Sequence, residues 1–303
     1  MMDKPSIIVR TTQNKLIREE KLINAGVLIA GDSPAGSDMA FTHSVLCQVG
    51  LPRSKVEGRE FLRRSGEAWL NIQAGVIDEG NGPVFQPIPY GAMPRLALAH
   101  ISTYAKRNNT RVVPVGDSAN EFLRLLGYPT SGGKRGSHIT LRKQMHALAA
   151  CRLQLGFKGR TFNGQPVEQF DSWSPCENLY QKAIWPGQVT LSSSFFDEII
   201  AHGVPLDNRA MHNLKGSSLA LDIYAWLAYR LYRIEGRQVM LHWKPIRDQF
   251  AHEYLGKNAN RDFRHSFLTG LKSVMLFYPK ANVEVVDSGL ILRKSPPPIK
   301  MKD

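Results

Sequence analysis

Residues 118–150 read SANEFLRLLGYPTSGGKRGSHITLRKQMHALAA, and this stretch decides how the first half of the chain is predicted to fold. Ser118 and Glu121 have the spacing of a capping box, in which each side chain satisfies a free backbone N–H at the start of a helix. Gly127 is typical of a helix end, and a Gly-rich turn follows it. A second helix is predicted over residues 137–150. The first helix is predicted to bury three apolar residues: Phe122, Leu125 and Leu126.

The helix over residues 137–150 has one apolar and one basic face. Its apolar residues Leu141, Met145 and Leu148 share one side of a helical wheel. The residues predicted to point the other way, with Lys143 nearby, are Arg135, His138, Arg142 and His146. A helix that buries one face and offers a basic, hydrogen-bonding face fits the major groove of DNA.

The charge around this helix has one sign. Residues 122–167 contain eight Lys or Arg and no Asp or Glu. A solvated helix usually mixes both signs, because opposite charges at i and i+4 stabilise it. The segment therefore favours a polyanionic partner, and the competing interpretation is a basic surface with no partner.

Further elements are predicted on both sides of this stretch. A strand over residues 68–74, a helix starting near Met93 and a strand at residues 112–113 precede it. Two extended pieces follow it, residues 152–157 and 166–170, joined by the loop KGRTFNG.

The second half begins with a long amphipathic helix marked by Leu219, Ile223, Trp226, Leu227, Leu231 and Ile234. A helix starting at Pro245 and a helix over residues 258–277 come next, and the latter is predicted to bury Phe263, Phe267, Leu271 and Val274. A hairpin over residues 283–293 and the Pro- and Lys-rich tail SPPPIKMKD end the chain.

Helix, helix, helix, hairpin thus occurs twice, which is the order of a helix-turn-helix followed by a wing. The predicted fold class is α+β, with two tandem winged-helix domains, each a helix-turn-helix plus a β-hairpin wing. The predicted divisions are an N-terminal arm at 1–37, domains at 38–173 and 190–295, a linker at 174–189 and a flexible tail at 296–303.

Each predicted domain supplies candidate DNA contacts. Arg pairs with guanine edges, whereas Lys and Ser hold phosphates. The candidates of the first domain are Lys134, Arg135, Ser137, His138, Arg142, Lys143, Lys158 and Arg160. Those of the second domain are Asn258, Arg261, Arg264, His265, Lys272 and Arg293, with Asp262 among them as an exception to the one-sign pattern.

Composition agrees with an anionic partner. Lys and Arg number 39 against 26 Asp and Glu, a net charge of +13 among 303 residues. Such an excess attracts nucleic acid first and an anionic membrane surface second. No apolar run reaches the ~18 residues of a membrane span, and the first residues, MMDKPSIIVRTTQNKL, do not resemble a signal peptide. We therefore expect a cytoplasmic protein with no membrane partner.

Signals for enzymatic chemistry are weak. The nine His form no metal-binding spacing, and Cys47, Cys151 and Cys176 contain no CxxC motif, so we expect neither a metal nor another cofactor. Residues 132–136, GGKRG, lack the GxxxxGK[ST] pattern of a phosphate loop. Asp197 and Glu198 are interpreted as a solvated pair rather than catalytic acids. Four of the five tryptophans are interpreted as core or linker anchors: Trp173, Trp185, Trp226 and Trp243.

Several motifs, in fixed order, resemble one protein family. In the first half they are YGAMPR at 90–95, VGDS at 115–118, EFL at 121–123, LG at 126–127, GGKRG at 132–136 and LRKQM at 141–145. In the second half they are ALDIYAWL at 220–227, Trp243, QF at 249–250 and YP at 278–279. Over residues 40–280 this pattern resembles the plasmid-encoded RepA replication initiators, except that Ala251 stands where Gly is expected.

The resemblance implies a replication initiator that binds repeats in double-stranded plasmid origin DNA and helps to open an adjacent AT-rich segment. It also implies recruitment of host replication proteins, a helicase or its loader, and leaves a homodimer open. None of these roles needs a catalytic residue. Two alternatives remain: a winged-helix transcriptional repressor with no replication role, and a nuclease, which would require clustered carboxylates or histidines.

Overall fold

The computed structural model describes residues 5–32, 34–80, 82–131, 136–170, 185 and 187–299. Within these residues the fold is mixed α/β, with ten α-helices and fourteen strands in five small sheets. This arrangement is compatible with the predicted α+β class.

The N-terminal elements are mostly short. They are α1 (Pro5–Gly31), β1 (Met39–His43), α2 (Ser44–Val49), β2 (Glu60–Ser65), β3 (Ala68–Gln73), β4 (Val76–Asp78) and β5 (Pro83–Phe85). Helix α1 occupies most of the predicted N-terminal arm. Its C-terminal half packs on a later helix so closely that a Cβ on Gly26 would lie 2.8 Å from the Leu276 carbonyl oxygen.

The next group of elements, called the first unit, spans residues 92–164. It consists of α3 (Ala92–Asn108), β6 (Val112–Pro114), α4 (Ala119–Leu125), α5 (Ser137–Ala150), β7 (Arg152–Phe157) and β8 (Arg160–Gly164). Five connecting elements follow: β9 (Val167–Gln169), β10 (Gln188–Leu191), α6 (Ser193–His202), β11 (Gly203–Asp207) and α7 (Asn208–Leu214).

The second unit spans residues 218–293 and repeats the element order of the first. It consists of α8 (Ser218–Leu231), β12 (Val239–His242), α9 (Trp243–Phe250), α10 (Ala259–Phe277), β13 (Asn282–Val286) and β14 (Gly289–Arg293). Both units therefore run helix, strand, helix, helix, hairpin. In the second unit the first strand joins the hairpin, giving the sheet order β12-β14-β13.

The hairpin of the first unit differs from the predicted one. The segment KGRTFNG is not a loop, because residues 160–164 form β8 and pair with β7 in register Phe157↔Arg160. Lys158 and Gly159 make the tight turn, with φ of +49° and +81°. The hairpin extends a four-stranded sheet of order β2-β3-β7-β8, and β9 instead pairs with β10.

Helix α4 begins as predicted but buries a different face. The Ser118 hydroxyl accepts a hydrogen bond from the Glu121 N–H at 3.2 Å, and the Glu121 carboxylate accepts from the Asp117 N–H at 2.8 Å. Phe122 is buried as expected, but Leu125 is 39% exposed and Leu123 is buried in its place. The helix is only two turns long, so its packing is set by its neighbours rather than by its own periodicity.

The two halves of the chain share one hydrophobic core. Its buried residues run from Ala40 to Leu292 without a break between the units. Strand β1 pairs antiparallel with β11, in register Met39↔Asp207 to His43↔Gly203. Strand β10 spans the predicted domain start at residue 190 and pairs with β6 of the first unit. The predicted linker falls largely outside the described residues.

A buried ionic network also joins the halves. Arg95 Nε donates to Asp222 Oδ1 at 2.7 Å, and Arg53 Nη1 lies 3.5 Å from Asp222 Oδ2. Arg63 Nη2 donates to Glu253 Oε1 at 2.7 Å, and Arg53 contacts the same carboxylate. Since α2, β2, α3, α8 and the loop after α9 all meet here, the network fixes one half against the other.

The predicted tail starts within the fold. The Tyr278 hydroxyl donates to the Pro296 carbonyl oxygen at 2.6 Å, and Ile299 is only 3% exposed. Residues 296–299 are thus packed against the second unit, in contrast to the flexible tail that their composition predicts.

Candidate nucleic-acid interface

Helix α10 is anchored by aromatic side chains. Phe263, Phe267, Leu271 and Val274 are all at most 4% exposed, as their spacing predicts. The Phe267 ring lies 5.5 Å from the Phe250 ring and 6.0 Å from the Trp243 ring. Aromatic pairs at such separations pack well and fix the rotation of the helix about its axis.

That rotation leaves the predicted contact residues in solvent. Asn258, which precedes the first helical residue, and the side chains of Arg261, His265 and Lys272 are all exposed. Arg264 lies at the border of the face, with its guanidinium 4.8 Å from the centre of the Trp243 ring. Arg261 Nε is 3.3 Å from Asp262 Oδ1, but both groups are more than half exposed, so water screens this pair.

The hairpin β13–β14 is tied to the start of α9. The Trp243 N–H donates to the Ser288 carbonyl oxygen at 3.1 Å, and the Trp243 indole N–H donates to the Asp287 carbonyl oxygen at 2.9 Å. Arg293, a predicted contact, instead forms a cross-strand pair in which Nη2 donates to Glu284 Oε2 at 2.8 Å. The hairpin is therefore fixed against the start of α9.

A cleft of about 460 Å³ lies between α9 and α10 and is lined by Trp243, Lys244, Arg247, Asp248, Asn260, Phe263 and Arg264. It adds Lys244 and Arg247 to the basic surface, and neither residue is among the contacts predicted from the sequence. Both are exposed on α9, and two cations three residues apart on one helix are the signal that could have identified them.

Helix α5 spans residues 137–150 as predicted and buries Leu141, Met145 and Leu148. His138 and Arg142 are half-buried, and Lys143 is exposed, with its Nζ 5.7 Å from the centre of the Tyr90 ring. Lys134 and Arg135 lie outside the described residues. The helix thus presents fewer free cations than α10.

Two residues of α5 are placed differently from the prediction. The Ser137 hydroxyl donates to the Pro129 carbonyl oxygen at 2.8 Å and accepts from the Ser131 N–H at 2.9 Å, so it closes the turn before the helix. His146 does not point outward: it is 2% exposed, and its Nδ1 lies 3.1 Å from Glu79 Oε1. Burial lowers the pKa of His146, so its ring is held neutral.

Glu79 brings a negative charge to this side of α5. Burial acts to raise the pKa of Glu79, but hydrogen bonds from Gln86 and His146 and the charge of Arg142 outweigh it and lower the pKa. The one-sign character seen along the sequence is therefore not preserved in space, because β4 and its turn carry an acid to the helix.

At the first hairpin, the predicted contacts already have protein partners. Lys158 Nζ is 3.8 Å from Glu67 Oε2 at the exposed turn. Arg160 Nη2 donates to Glu198 Oε1 at 2.5 Å, and Arg160 Nη1 lies 2.9 Å from His202 Nε2. Glu198 is not the solvated acid expected from sequence, since it is 8% exposed. A hydrogen bond from His43 is the main cause that lowers its pKa.

A sequence model of one family, described as Plasmid encoded RepA protein, matches residues 88–244, just over half of the chain. The chain belongs to this RepA family. The resemblance seen in the sequence is thereby confirmed, and family membership indicates a plasmid replication protein. Neither a curated protein nor a solved structure matches the chain.

The RepA match covers the whole first unit together with α8 and β12, and it ends at the second residue of α9. Helix α10 and its hairpin lie beyond it. For a plasmid replication protein, DNA and the replication machinery are the interactions that the family suggests.

Other features of this RepA-family chain concern the remaining predictions. In the described ranges, no helix combines the length and apolar character required to span a bilayer. Nor do the described His, Cys, Asp and Glu residues form a group of three or more that could hold a metal ion. Cys47 and Cys151 are buried free thiols, and burial raises the pKa of Cys151 to about 12. Trp226 is a core residue, as expected.

Proposed function

We propose that this chain is a plasmid replication initiator that binds repeated sites in double-stranded origin DNA through two winged-helix units. The proposal rests on one observation about α10: one face of this helix is anchored in an aromatic core, and the other face is exposed and basic. The hairpin β13–β14 follows α10 in the order expected of a wing, and the chain belongs to the RepA family.

In this proposal α10 reads bases, because its Arg and His side chains can bond to base edges in the major groove. Arg264 is well suited, since stacking on Trp243 limits the conformations of its guanidinium and lowers the entropy lost on binding. Asn258 and Lys272 lie near the two ends of the face and are assigned to phosphates.

The first unit is assigned mainly to positioning. Lys143 and Lys158 are exposed and can hold phosphates, whereas Arg142 is the one described Arg of α5 that can approach a base. Lys134 and Arg135 remain predicted contacts. Arg160 is assigned no direct contact while it is bound to Glu198.

Binding of this kind supports origin opening without catalysis by the chain itself. We propose that the bound protein stabilises an opened AT-rich segment and recruits a host helicase or its loader. Basic charge would bring the protein to DNA, and the exposed faces of both units would select the site.

The test is footprinting of the full chain on duplex DNA flanking its own gene, beside two variants. Arg261→Ala removes a cation from the proposed reading face, and Arg237→Ala removes an equally exposed cation elsewhere in the second half. We expect protected, repeated sites for wild type and Arg237→Ala, and a loss of about 1–3 kcal/mol in specific binding for Arg261→Ala.

A plasmid assay then separates an initiator from a repressor. A plasmid that depends on this gene should fail to be maintained when the gene carries Arg261→Ala and Arg264→Ala, and wild-type protein supplied in trans should restore it. Replication of the same plasmid with the gene deleted would show that the chain is not its initiator.

A further inference from the structure

A cleft of about 820 Å³ opens where the two halves meet. The first half contributes the β2–β3 turn and Phe157, at the end of β7. The second half contributes the C-terminal part of α8, strand β12 and α9. None of these residues was predicted from the sequence to bind a ligand, because the cleft exists only after the halves have packed together.

The cleft holds cations that pair with no acid among the described residues, although Arg233 donates to the Tyr229 carbonyl oxygen at 2.7 Å. Its four basic residues are Arg64, Arg230, Arg233 and Lys244. No described carboxylate lies within 4 Å of any of them, whereas one of the three acids in the lining, Glu67, is paired with Lys158. A concave surface with uncompensated positive charge concentrates field lines and attracts anions.

Of these cations, Arg230 is the one whose burial without a partner is most costly. It is half-buried, its Nε lacks a hydrogen-bond partner in the described structure, and burial lowers the pKa of its guanidinium. A desolvated charge without a counter-ion is costly unless a ligand completes its hydrogen bonds. The wall of the cleft therefore provides an anion site that the protein does not fill.

The floor of the cleft is apolar. Its apolar and aromatic residues are Phe157, Trp226, Tyr229, Ile234, Val239, Leu241 and Pro245. The ligand should therefore carry apolar or aromatic groups as well as negative charge. A DNA single strand has both, since its bases are free to stack, whereas a duplex keeps its bases inside and presents only the backbone.

Both ends of the cleft reach elements that are proposed to contact DNA. At one end Phe157 adjoins Lys158 at the tip of the first hairpin. At the other end Lys244 and Asp248 also line the α9–α10 cleft, which contains Arg247 and Arg264. This continuity favours nucleic acid over a peptide segment of a partner protein, which the mixed lining could also admit.

We propose that the cleft between the two halves is a binding site for single-stranded DNA, with phosphates on Arg64, Arg230, Arg233 and Lys244 and bases against the apolar floor. The site rests on the proposed function in that it would hold a strand of opened DNA beside the duplex site. It differs from the α10 face in residues and in the form of DNA that it binds.

The experiment uses fluorescence anisotropy to measure binding of the full chain to a 20-nucleotide oligo(dT) and to the duplex DNA site that footprinting identifies. The cleft variant carries Arg64→Gln and Arg233→Gln, two exposed positions that do not line the α9–α10 cleft. The control variant carries Lys55→Gln and Arg237→Gln, which removes the same charge outside the cleft. Thermal melting checks that both variants fold.

For oligo(dT) we expect the cleft variant to lose at least about tenfold in affinity relative to the control, and its salt slope to become shallower by about 1.4, since each of the two lost phosphate contacts counts roughly 0.7. Binding to the duplex site should change equally in both variants. Arg230→Gln alone should weaken oligo(dT) binding, and ultraviolet crosslinks to oligo(dT) should map to Phe157 or Tyr229.

Equal loss of oligo(dT) and duplex binding in the cleft variant would overturn the proposal, because the cations would then act only as general attraction. So would oligo(dT) affinity equal to the control's, or no binding by wild type, in which case a protein segment becomes the favoured occupant. If wild type binds oligo(dT) through the cleft but has no duplex site, the initiator proposal fails and the cleft site stands.

Discussion

The first and second units have the same order of elements but use their polar residues differently. In the first, the candidate contacts are largely engaged: Ser137 closes a turn, Arg160 is bound to Glu198, and Lys158 lies near Glu67. In the second, Arg261, His265 and Lys272 are exposed, and Arg264 is positioned by an aromatic ring. A repeated architecture thus does not imply a repeated contact surface.

The difference follows from what surrounds each unit. The first is covered by β4, α6 and the β2–β3 turn, which bring Glu79, Glu198 and Glu67 to its basic residues. In the second, no described acid from another element pairs with the cations of α10, and α1 packs against this helix at Leu276. We therefore expect the first unit to contribute mainly non-specific attraction and the second to contribute more of the sequence preference.

The comparison of the two units assumes that they unfold together. Substitution of Asp222 tests this assumption and has the largest expected effect on stability. Asp222→Ala leaves Arg95 buried without its counter-ion and Arg53 with Glu253 alone, which should cost about 3–5 kcal/mol of unfolding free energy. Urea unfolding of the full chain measures it, with the exposed Asp262→Ala as the control, expected within about 0.5 kcal/mol. Two separate transitions in the wild type would mean that the units fold independently.

Acid should weaken the first unit through His100, on α3. Burial, with a smaller contribution from the charge of His212, lowers the pKa of His100 to about 4, so the unfolded chain binds a proton that the folded chain excludes. Stability is then full above pH ~6.5 and falls as the pH drops from there toward 4, by roughly 3 kcal/mol at 1.36 kcal/mol per pKa unit.

The measurement for His100 is the urea midpoint at pH 7.5 and pH 4.5. His100→Gln should lose less stability than the wild type between these two values, because the substituted side chain does not titrate. An identical loss in both proteins would place the acid sensitivity elsewhere. His252 lies in the second half, and desolvation also lowers its pKa, so His252→Gln measured in the same way compares the acid sensitivity of the two halves.

Specific binding should distinguish the units next. Arg264→Ala should cost about 1–3 kcal/mol on the cognate duplex and little on random DNA. Lys143→Ala on α5 should weaken binding to both DNAs alike and reduce the salt slope by about 0.9, the value for one phosphate contact. Competition binding at two salt concentrations gives the affinity of each variant for each DNA, together with the salt slopes. A larger specific loss for Lys143→Ala than for Arg264→Ala would reverse the assignment of the two units.

The smallest effect is expected where the first unit is made to resemble the second. Glu198→Gln removes the charge that holds Arg160, so the guanidinium becomes available to DNA. Affinity for random duplex should rise about two- to threefold, with a salt slope steeper by about 0.9. The double variant Glu198→Gln with Arg160→Gln is the matched control and should lose the gain; an unchanged affinity in Glu198→Gln would show that Arg160 remains away from DNA.

Local periodicity predicted the long elements well. Helix α5 has its expected bounds, α10 begins one residue later than expected, and the second hairpin lies where its turn residues indicate. These elements are long or have a strong turn signal, so their residues alone determine where they begin and end. The apolar face of α10 was likewise predictable, since the spacing of its buried residues follows the helical period.

What the sequence did not reveal depends on distant residues. His146 has the spacing of an outward position, but Glu79, 67 residues earlier, gives it a buried partner. Glu198 is adjacent to an exposed acid, yet Arg160 and His43 come from other elements to pair with it. Strand β8 has little apolar character and is recognisable only through its pairing with β7.

Strand β1 has a consequence for the order of events on the ribosome. Its partner β11 follows it by 160 residues, from His43 to Gly203. At roughly 5–20 residues per second, about ten to thirty seconds pass between the synthesis of the two strands. For that time the nascent chain exposes the apolar side chains of Ala40 and Phe41 along an unpaired strand edge, which is a site for chaperones and for aggregation. The N-terminal half can therefore complete its structure only after two thirds of the chain has been made.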